Sequence, residues 1–111
     1  MLSRVAERIY WMARYIERAE NSARMIKVNT YLLLDLPRKA RFGWGPLIDI
    51  MGADQLFYSI FKEATERNVV KFLVGDERNP ASILVSLKNA RENARTIRDI
   101  IPREAWEQMS S

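Results

Sequence analysis

VAERIYWMARYIERAENSARMIKVNTYLL, residues 5–33, is the stretch that decides the fold of this chain of 111 residues. Its apolar and small residues recur at alternating intervals of four and three, which is the period of one helix face. With Ser3 as N-cap and Pro37 as the stop, the pattern predicts a helix over about residues 3–35. The positions on that face are Val5, Ile9, Met12, Ile16, Ala19, Ala23, Ile26, Thr30 and Leu33.

A second pattern of the same period lies near the end of the chain. Asn79 and Pro80 are typical of an N-cap and a first helical turn, and Pro102 is typical of a helix end. The pattern therefore predicts a second long helix over about residues 80–101. Its positions are Ile83, Leu87, Ala90, Ala94, Ile97 and Ile101.

Shorter elements are predicted between the two long helices. PLIDIM, residues 46–51, favours a short helix that Gly52 ends. Residues 54–67 carry a helical pattern, whereas residues 69–74 fit a buried strand or a short helix. We favour helix for 69–74 because a lone strand would have no pairing partner.

The fold class that follows is all-α: a helical bundle with two long helices and shorter helices between them. Residues 1–111 are expected to form a single helical domain. Residues 102–111, PREAWEQMSS, look like the first turns of a further helix. We expect the chain to be the N-terminal fragment of a longer protein; the alternative is a short C-terminal helix that docks on the bundle.

The composition excludes several kinds of chemistry. The chain has no cysteine and no histidine, so disulfides, thiolate metal sites and Ser-His or Cys-His nucleophile pairs are impossible. A Glu-x-x-His di-metal site is excluded on the same ground, and we expect no metal and no cofactor. No segment approaches about 20 consecutive apolar residues and the start lacks a signal-peptide pattern, so a cytoplasmic location without membrane contact is expected.

Two clusters of charged residues lie within the two stretches of sequence that have the helical period. Tyr10, Trp11 and Tyr15 surround the first cluster, and bulky residues off the main stripe indicate neighbours on more than one side. Some of the charges would then be partly desolvated and would need partners. The candidate residues are Glu17, Arg18, Glu20, Asn21 and Arg24 in the first cluster, and Arg91, Glu92, Asn93 and Arg95 in the second.

Three interpretations of these clusters stay open. We favour a buried network between the helices, in which Glu17 or Glu20 binds Arg91 or Arg95. In the same network Glu92 would take an arginine of the first helix: Arg14, Arg18 or Arg24. The alternatives are ordinary pairs within each helix, such as Arg14 with Glu17, and a ligand-binding or catalytic constellation. Removing one partner of a buried pair costs about 3–5 kcal/mol, against about 0.3–0.5 for an exposed pair.

The loop PRKARFGWGP, residues 37–46, is basic and aromatic. Arg38, Lys39 and Arg41 next to Phe42 and Trp44 are compatible with weak nucleic-acid binding. The net charge of only +4 and the lack of a helix-turn-helix pattern make nucleic acid an unlikely partner. We favour a structural loop that its aromatic residues anchor.

Two long stretches resemble the Alpha-E family of bacterial helical proteins. They are MLSRVAERIYWMARYIERAENSARM, residues 1–25, and NPASILVSLKNARENARTIRDIIPREAWEQMS, residues 79–110. The family's Glu-Arg motif reads here as Glu17-Arg18-Ala19-Glu20-Asn21. The resemblance implies a parent protein much longer than this chain. It also implies genomic association with ATP-grasp peptide-ligase-like proteins and transglutaminase-like proteases, and so a role in peptide or amide modification.

The leading functional hypothesis is a non-catalytic accessory domain that works with an ATP-grasp ligase-like partner. Its Arg-Glu-Asn network would organise the bundle or a ligand pocket. The second hypothesis is that the chain supplies half of an enzyme active site for forming or modifying peptide or amide bonds. A homo-oligomer is compatible with either.

Overall fold

The computed structural model describes the backbone of residues 2–37 and 43–110 and the side chains of residues 2–37 and 43–101. Within these ranges the chain is helical and contains no strand, which confirms the all-α prediction. The helices are α1 (Leu2–Asp35), α2 (Gly45–Ile50), α3 (Asp54–Ile60), α4 (Glu66–Val74) and α5 (Ile83–Ser110).

The two long helices are present, but α5 differs from its prediction at both ends. It begins at Ile83, because the Ser82 hydroxyl caps it by accepting a bond from the Val85 N–H at 3.3 Å. It then runs through Pro102 to Ser110, so the predicted stop at 102 is wrong. Pro102 removes one intrahelical donor, and the good helix formers after it continue the helix. Helix α1 matches its predicted range to within one residue, but it begins at Leu2, so Ser3 lies inside the helix and the predicted N-cap is wrong.

The middle of the chain also divides differently. The predicted helix 54–67 ends at Ile60, where Phe61 turns extended with φ −118° and ψ 144°. Thr65 then caps α4 by accepting a bond from the Asn68 N–H at 3.2 Å. Residues 69–74 lie inside this helix, which confirms the helical interpretation of that segment.

The hydrophobic core lies at one end of the molecule. Phe57 and Phe72 meet edge to face there with ring centroids 5.2 Å apart. Partly buried Met25, Ile26 and Leu33 from the second half of α1 pack against the cluster. The core therefore joins α2, α3 and α4 to only one half of α1. Its buried members are Trp44, Leu47, Ile48, Phe57, Val69, Phe72 and Leu73.

Beyond the core, the first half of α1 and the part of α5 beside it form a two-helix arm, which we define as residues 2–19 and 87–101. The helices run antiparallel: α5 begins beside the core and the second half of α1, and Asn93, the eleventh residue of α5, already bonds Arg8 near the start of α1. The molecule is accordingly elongated, at 71 × 29 × 18 Å. Several buried positions of the pair are small: Ala19 and Ser22 on α1, and Ser86 and Ala90 on α5.

The turn between α4 and α5 is held by a buried carboxylate. Asp76 accepts bonds from Nε and Nη2 of Arg78 at 2.9 and 2.8 Å, and from the Arg78 backbone N–H at 3.0 Å. Buried Asn79 donates to the Phe72 carbonyl at 3.0 Å and accepts from the Ala81 N–H. These bonds set where α5 leaves the core.

Leu73 and Leu34 make a matched test of where the core lies. Leu73→Ala should lower the free energy of unfolding by about 2–5 kcal/mol, because Leu73 is 2% exposed within the core. Leu34→Ala should change it by less than about 0.5 kcal/mol, because Leu34 is 69% exposed. Urea denaturation of both variants measures the difference, and equal losses would contradict this placement of the core.

Asp76 should make the stability of the fold sensitive to acid. The hydrogen bonds from Arg78 hold the pKa of the Asp76 carboxyl below its usual value of 3.8. A carboxyl whose pKa is lower in the folded state stabilises fully above its unfolded pKa, and that stability is lost as pH falls through the folded pKa. Asp76→Asn should therefore melt below the wild type at pH 7, and the difference in melting temperature should narrow as the pH falls below the usual carboxyl pKa of 3.8.

Glu77→Gln is the control for this pH dependence. Glu77 is next in sequence, and its side chain is 85% exposed and 3.8 Å from Lys88. Its substitution should change the melting temperature little at pH 7. If the difference in melting temperature between Asp76→Asn and the wild type stayed constant with pH, the Asp76 charge would not stabilise the turn.

Candidate functional site

The charged cluster of α1 lies on the outside of the helix. Its five side chains, Glu17, Arg18, Glu20, Asn21 and Arg24, are all exposed. On α5 the side chains of Arg91, Glu92 and Arg95 are exposed as well, and only Asn93 is buried, at 9% exposure. The clusters therefore lie mainly at the surface and do not form the interior of the bundle.

The predicted ion pairs between the helices are not formed. Glu17 pairs with Arg14 on its own helix at 3.4 Å, and Glu92 pairs with Arg95 on its own helix at 2.8 Å. Among the described residues no ion pair joins α1 to α5, so the favoured network is wrong. A spacing of three already brings opposite charges together on one helix, at no cost in desolvation. The in-helix pair Arg14–Glu17 is confirmed.

The contact that does join the two helices involves Arg8, which the sequence analysis did not single out. Arg8 Nη1 donates to Asn93 Oδ1 over a long 3.5 Å, and the Asn93 amide also donates to the Asn89 carbonyl at 2.8 Å. Arg8 follows Val5 by three residues and precedes Met12 by four. That spacing places Arg8 on the stripe of α1 that faces α5. The same spacing could have indicated from the sequence that Arg8 contacts α5.

A shallow depression of about 220 Å³ lies along the exposed side of α1. It is lined by Arg14, Glu17, Arg18 and Asn21. Arg18 also lies over the ring of Tyr15, with the guanidinium carbon 5.7 Å from the ring centroid. Two members of the sequence cluster, Arg18 and Asn21, continue into a second and larger depression.

The larger depression is a pocket of about 440 Å³ that we call the junction pocket, because α1, α2 and the turn before α5 meet there. Its polar side consists of Arg18, Asn21 and Ser22. Its apolar side consists of Met25 from α1 with Ile50 and Met51 from the end of α2, and Ala81 closes it from the turn. Neither the spacing on α1 nor the loop composition indicated that α2 and this turn would come together here.

The remaining members of the two clusters do not line either depression. Glu20 and Arg24 lie elsewhere around α1, and Arg91, Glu92 and Arg95 lie along the arm. The structure thus brings together Glu17, Arg18 and Asn21 and leaves the other candidates apart. Arg18 and Asn21 offer hydrogen-bond donors to a ligand, and Arg18 also offers a positive charge.

The described residues offer little for reaction chemistry. No three Asp or Glu side chains among them are grouped so that they could hold a metal ion. The pocket contains a serine, an asparagine and an arginine but no carboxylate or imidazole to act as a base. This arrangement suits binding better than catalysis.

Of the basic loop, only its last part lies within the described residues. Trp44 is 7% exposed in the core, so its ring is not available to stack on a base. Buried Asn29 donates to the Gly43 carbonyl at 3.3 Å and so fixes the end of the loop against α1. The structural role predicted for Trp44 is confirmed, whereas Arg38, Lys39, Arg41 and Phe42 lie outside the described residues.

The helices were also compared with the requirements of a bilayer. In residues 2–37 and 43–110, no helix is both long enough and apolar enough to cross a membrane.

One comparison with known proteins gives a match. A family model described as a predicted alpha-helical domain with a conserved ER motif matches residues 1–111, the whole chain. No curated protein and no solved structure matches the chain.

Substitutions in the two clusters should distinguish surface pairs from a buried network. Glu17→Gln and Glu92→Gln should each change the free energy of unfolding by less than about 0.5 kcal/mol, because both pairs are exposed. Asn93→Ala should lower the free energy of unfolding by about 1 kcal/mol or more, because the hydrogen bonds of the Asn93 side-chain amide are shielded from water. Chemical denaturation measures all three, and losses of several kcal/mol for the glutamate variants would restore the buried network.

Proposed function

The chain belongs to the Alpha-E family, and we propose that it is a helical interaction domain that binds an ATP-grasp peptide-ligase-like partner protein. The observation that carries this proposal is an uncovered apolar surface along the arm. The identity of the partner class rests on the resemblance described above, which also associates transglutaminase-like proteins with the family.

On α1 the uncovered surface is a second heptad stripe, beside the one that faces α5. Ile9 and Ile16 belong to it and are exposed, so their predicted place on the packing face is wrong. The five positions of this second stripe follow at intervals of four, three, four and three, and every one is exposed. Leu2, Ile9 and Ile16 are 82%, 46% and 37% exposed. The stripe is the pattern of a helix that packs against another helix. Its positions are Leu2, Ala6, Ile9, Ala13 and Ile16.

Helix α5 extends this surface. Leu87 and Ile101 are exposed, and half-buried Ala94 lies midway between them at intervals of seven. On both helices, each of these positions other than Leu2 comes one residue after a position in the contact between α1 and α5, so each stripe is rotated in the same sense from that contact. In an antiparallel pair, equal offsets lie on the same side, so the two stripes form one continuous surface. We call it the arm face.

A surface of this kind favours a protein partner. Proteins that stay monomeric in water rarely leave a contiguous apolar patch of this length open, and such patches mark sites of protein association. The paired stripes match the groove that receives an amphipathic helix. Burying one exposed isoleucine or leucine stabilises a complex by roughly 1.5–3 kcal/mol.

The charges beside the arm face indicate what kind of helix fits. Arg91, Arg95 and Arg98 are exposed on the flank of α5 beside Leu87 and Ile101. Arg95 is paired with Glu92, but Arg91 and Arg98 have no carboxylate partner among the described residues. A partner helix with an apolar stripe and flanking Asp or Glu residues would meet this surface with complementary charge.

Substitutions at two neighbouring residues of α1, which lie about 100° apart around the helix, give the test. Ile9→Glu should weaken binding to an ATP-grasp peptide-ligase-like protein by more than about tenfold, because it places a charge on the arm face. Tyr10→Glu is the matched control, because Tyr10 is 56% exposed and points elsewhere. Both variants should keep the wild-type circular dichroism. Co-purification and isothermal titration measure the binding.

Three outcomes would contradict the proposal. One is that the purified chain does not bind the ATP-grasp protein. Another is that both variants bind as well as the wild type. The third is that the chain forms a stable dimer that Ile9→Glu dissociates, because the arm face would then belong to a second copy. ATP-dependent amide formation by the chain alone would favour an enzyme instead.

A further inference from the structure

The junction pocket is lined by a serine hydroxyl that has no hydrogen-bond partner among the described residues. Ser22 is 2% exposed and lines the pocket, yet its hydroxyl makes no hydrogen bond among the described residues. A serine inside a helix ordinarily donates to a carbonyl of the preceding turn or points to solvent. The Ser22 hydroxyl is still reached by solvent, because Ser86 Oγ is the one fully buried side-chain polar atom without a partner among the described residues. A ligand in the pocket would replace that solvent as the partner of Ser22.

Arg18 and Asn21 lie on the same side of the pocket as Ser22. Arg18 contacts the Tyr15 ring but has no carboxylate partner within the described residues. The side-chain amide of Asn21 likewise has no hydrogen bond there. Three donor groups, one of them charged, therefore border one end of a single pocket, and that set recognises an oxyanion.

The rest of the pocket lining is apolar. Met25 and Met51 are partly buried, and Ile50 is 71% exposed at the edge. Methionine side chains adapt to ligands of different shape, and an exposed isoleucine gains from being covered. At about 440 Å³ the pocket falls within the range of small-molecule sites, roughly 300–1,000 Å³.

We infer that the junction pocket binds a carboxylate that carries a compact apolar group. The carboxylate lies against Arg18, Asn21 and Ser22, and the apolar group lies against Met25, Met51 and Ile50. A monoanion fits better than a phosphate dianion, because the pocket has one cation and Glu17 lines the adjoining depression. The bound anion would also give the Ser22 hydroxyl its acceptor.

This site is independent of the arm face. Arg18 follows Ile16 by two positions, which places it about 200° further around α1. A substitution in the pocket can therefore abolish ligand binding while partner binding persists. A substitution on the arm face can abolish partner binding while ligand binding persists.

The methionines provide a direct readout. The chain has five, and Met25 and Met51 line the pocket while Met12 lies on the arm. In protein labelled with ¹³C at the methionine methyls, 4-methylpentanoate should shift the Met25 and Met51 signals saturably and leave Met12 unchanged. We expect a dissociation constant on the order of 1 mM for a ligand of this size.

Matched ligands and variants separate the polar end from the apolar end. The uncharged 4-methylpentanamide should shift the same signals at least about tenfold more weakly, because a charge-assisted bond is lost. Arg18→Gln and Ser22→Ala should both weaken carboxylate binding. Arg24→Gln should not, because Arg24 is an arginine of the same helix that does not line the pocket.

Several results would overturn the inference. One is no saturable shift at Met25 or Met51 up to about 20 mM carboxylate, well above the expected dissociation constant. Others are equal binding of the amide, or unchanged binding in Arg18→Gln. Tighter binding of inorganic phosphate, detected as displacement of the carboxylate, would assign the pocket to a different anion. None of these results bears on binding of the ATP-grasp protein.

Discussion

The close antiparallel contact between α1 and α5 is the constraint on which the rest of the structure depends. Several of its buried positions are small, with Ala19 and Ser22 on one helix and Ser86 and Ala90 on the other. Small side chains let the helix backbones approach closely, and they leave little apolar area inside the contact. The bulky residues of both helices consequently lie on the flanks of the pair, where only part of their length is covered by the rest of the chain.

The position of the core then decides which flanks stay open. The short helices cover the second half of α1, where Met25, Ile26 and Leu33 pack against the aromatic cluster. Among the described residues, the first half of α1 has only α5 beside it, so its second stripe, which includes Ile9 and Ile16, faces solvent. The end of α2 reaches α1 on the other side and encloses the junction pocket. One helix thereby takes part in three surfaces: the contact with α5, the arm face and the pocket.

The charged clusters show how far spacing alone can be trusted. Glu17 has Arg14 three residues before it, and Glu92 has Arg95 three residues after it. Such pairs form on an isolated helix, whereas a pair across the bundle needs both side chains to leave water. The ion pairs within each helix therefore form in place of pairs between the helices. The actual link between the helices uses Arg8 and Asn93, and Arg8 lies on the packing stripe while Glu17 lies outside it.

The sequence by itself determined which segments are helical, because helical periods are local, but it did not determine where several of the helices begin and end. Helix α1, the short helix before Gly52 and the helical state of residues 69–74 all followed from such signals. Tertiary structure alone decided the functional surfaces. The junction pocket needs Arg18, Met51 and Ala81 in one place, and the α4–α5 turn that Asp76 and Asn79 hold brings in the last of these. Local periods carry no information on which elements meet, because that depends on how the whole core packs.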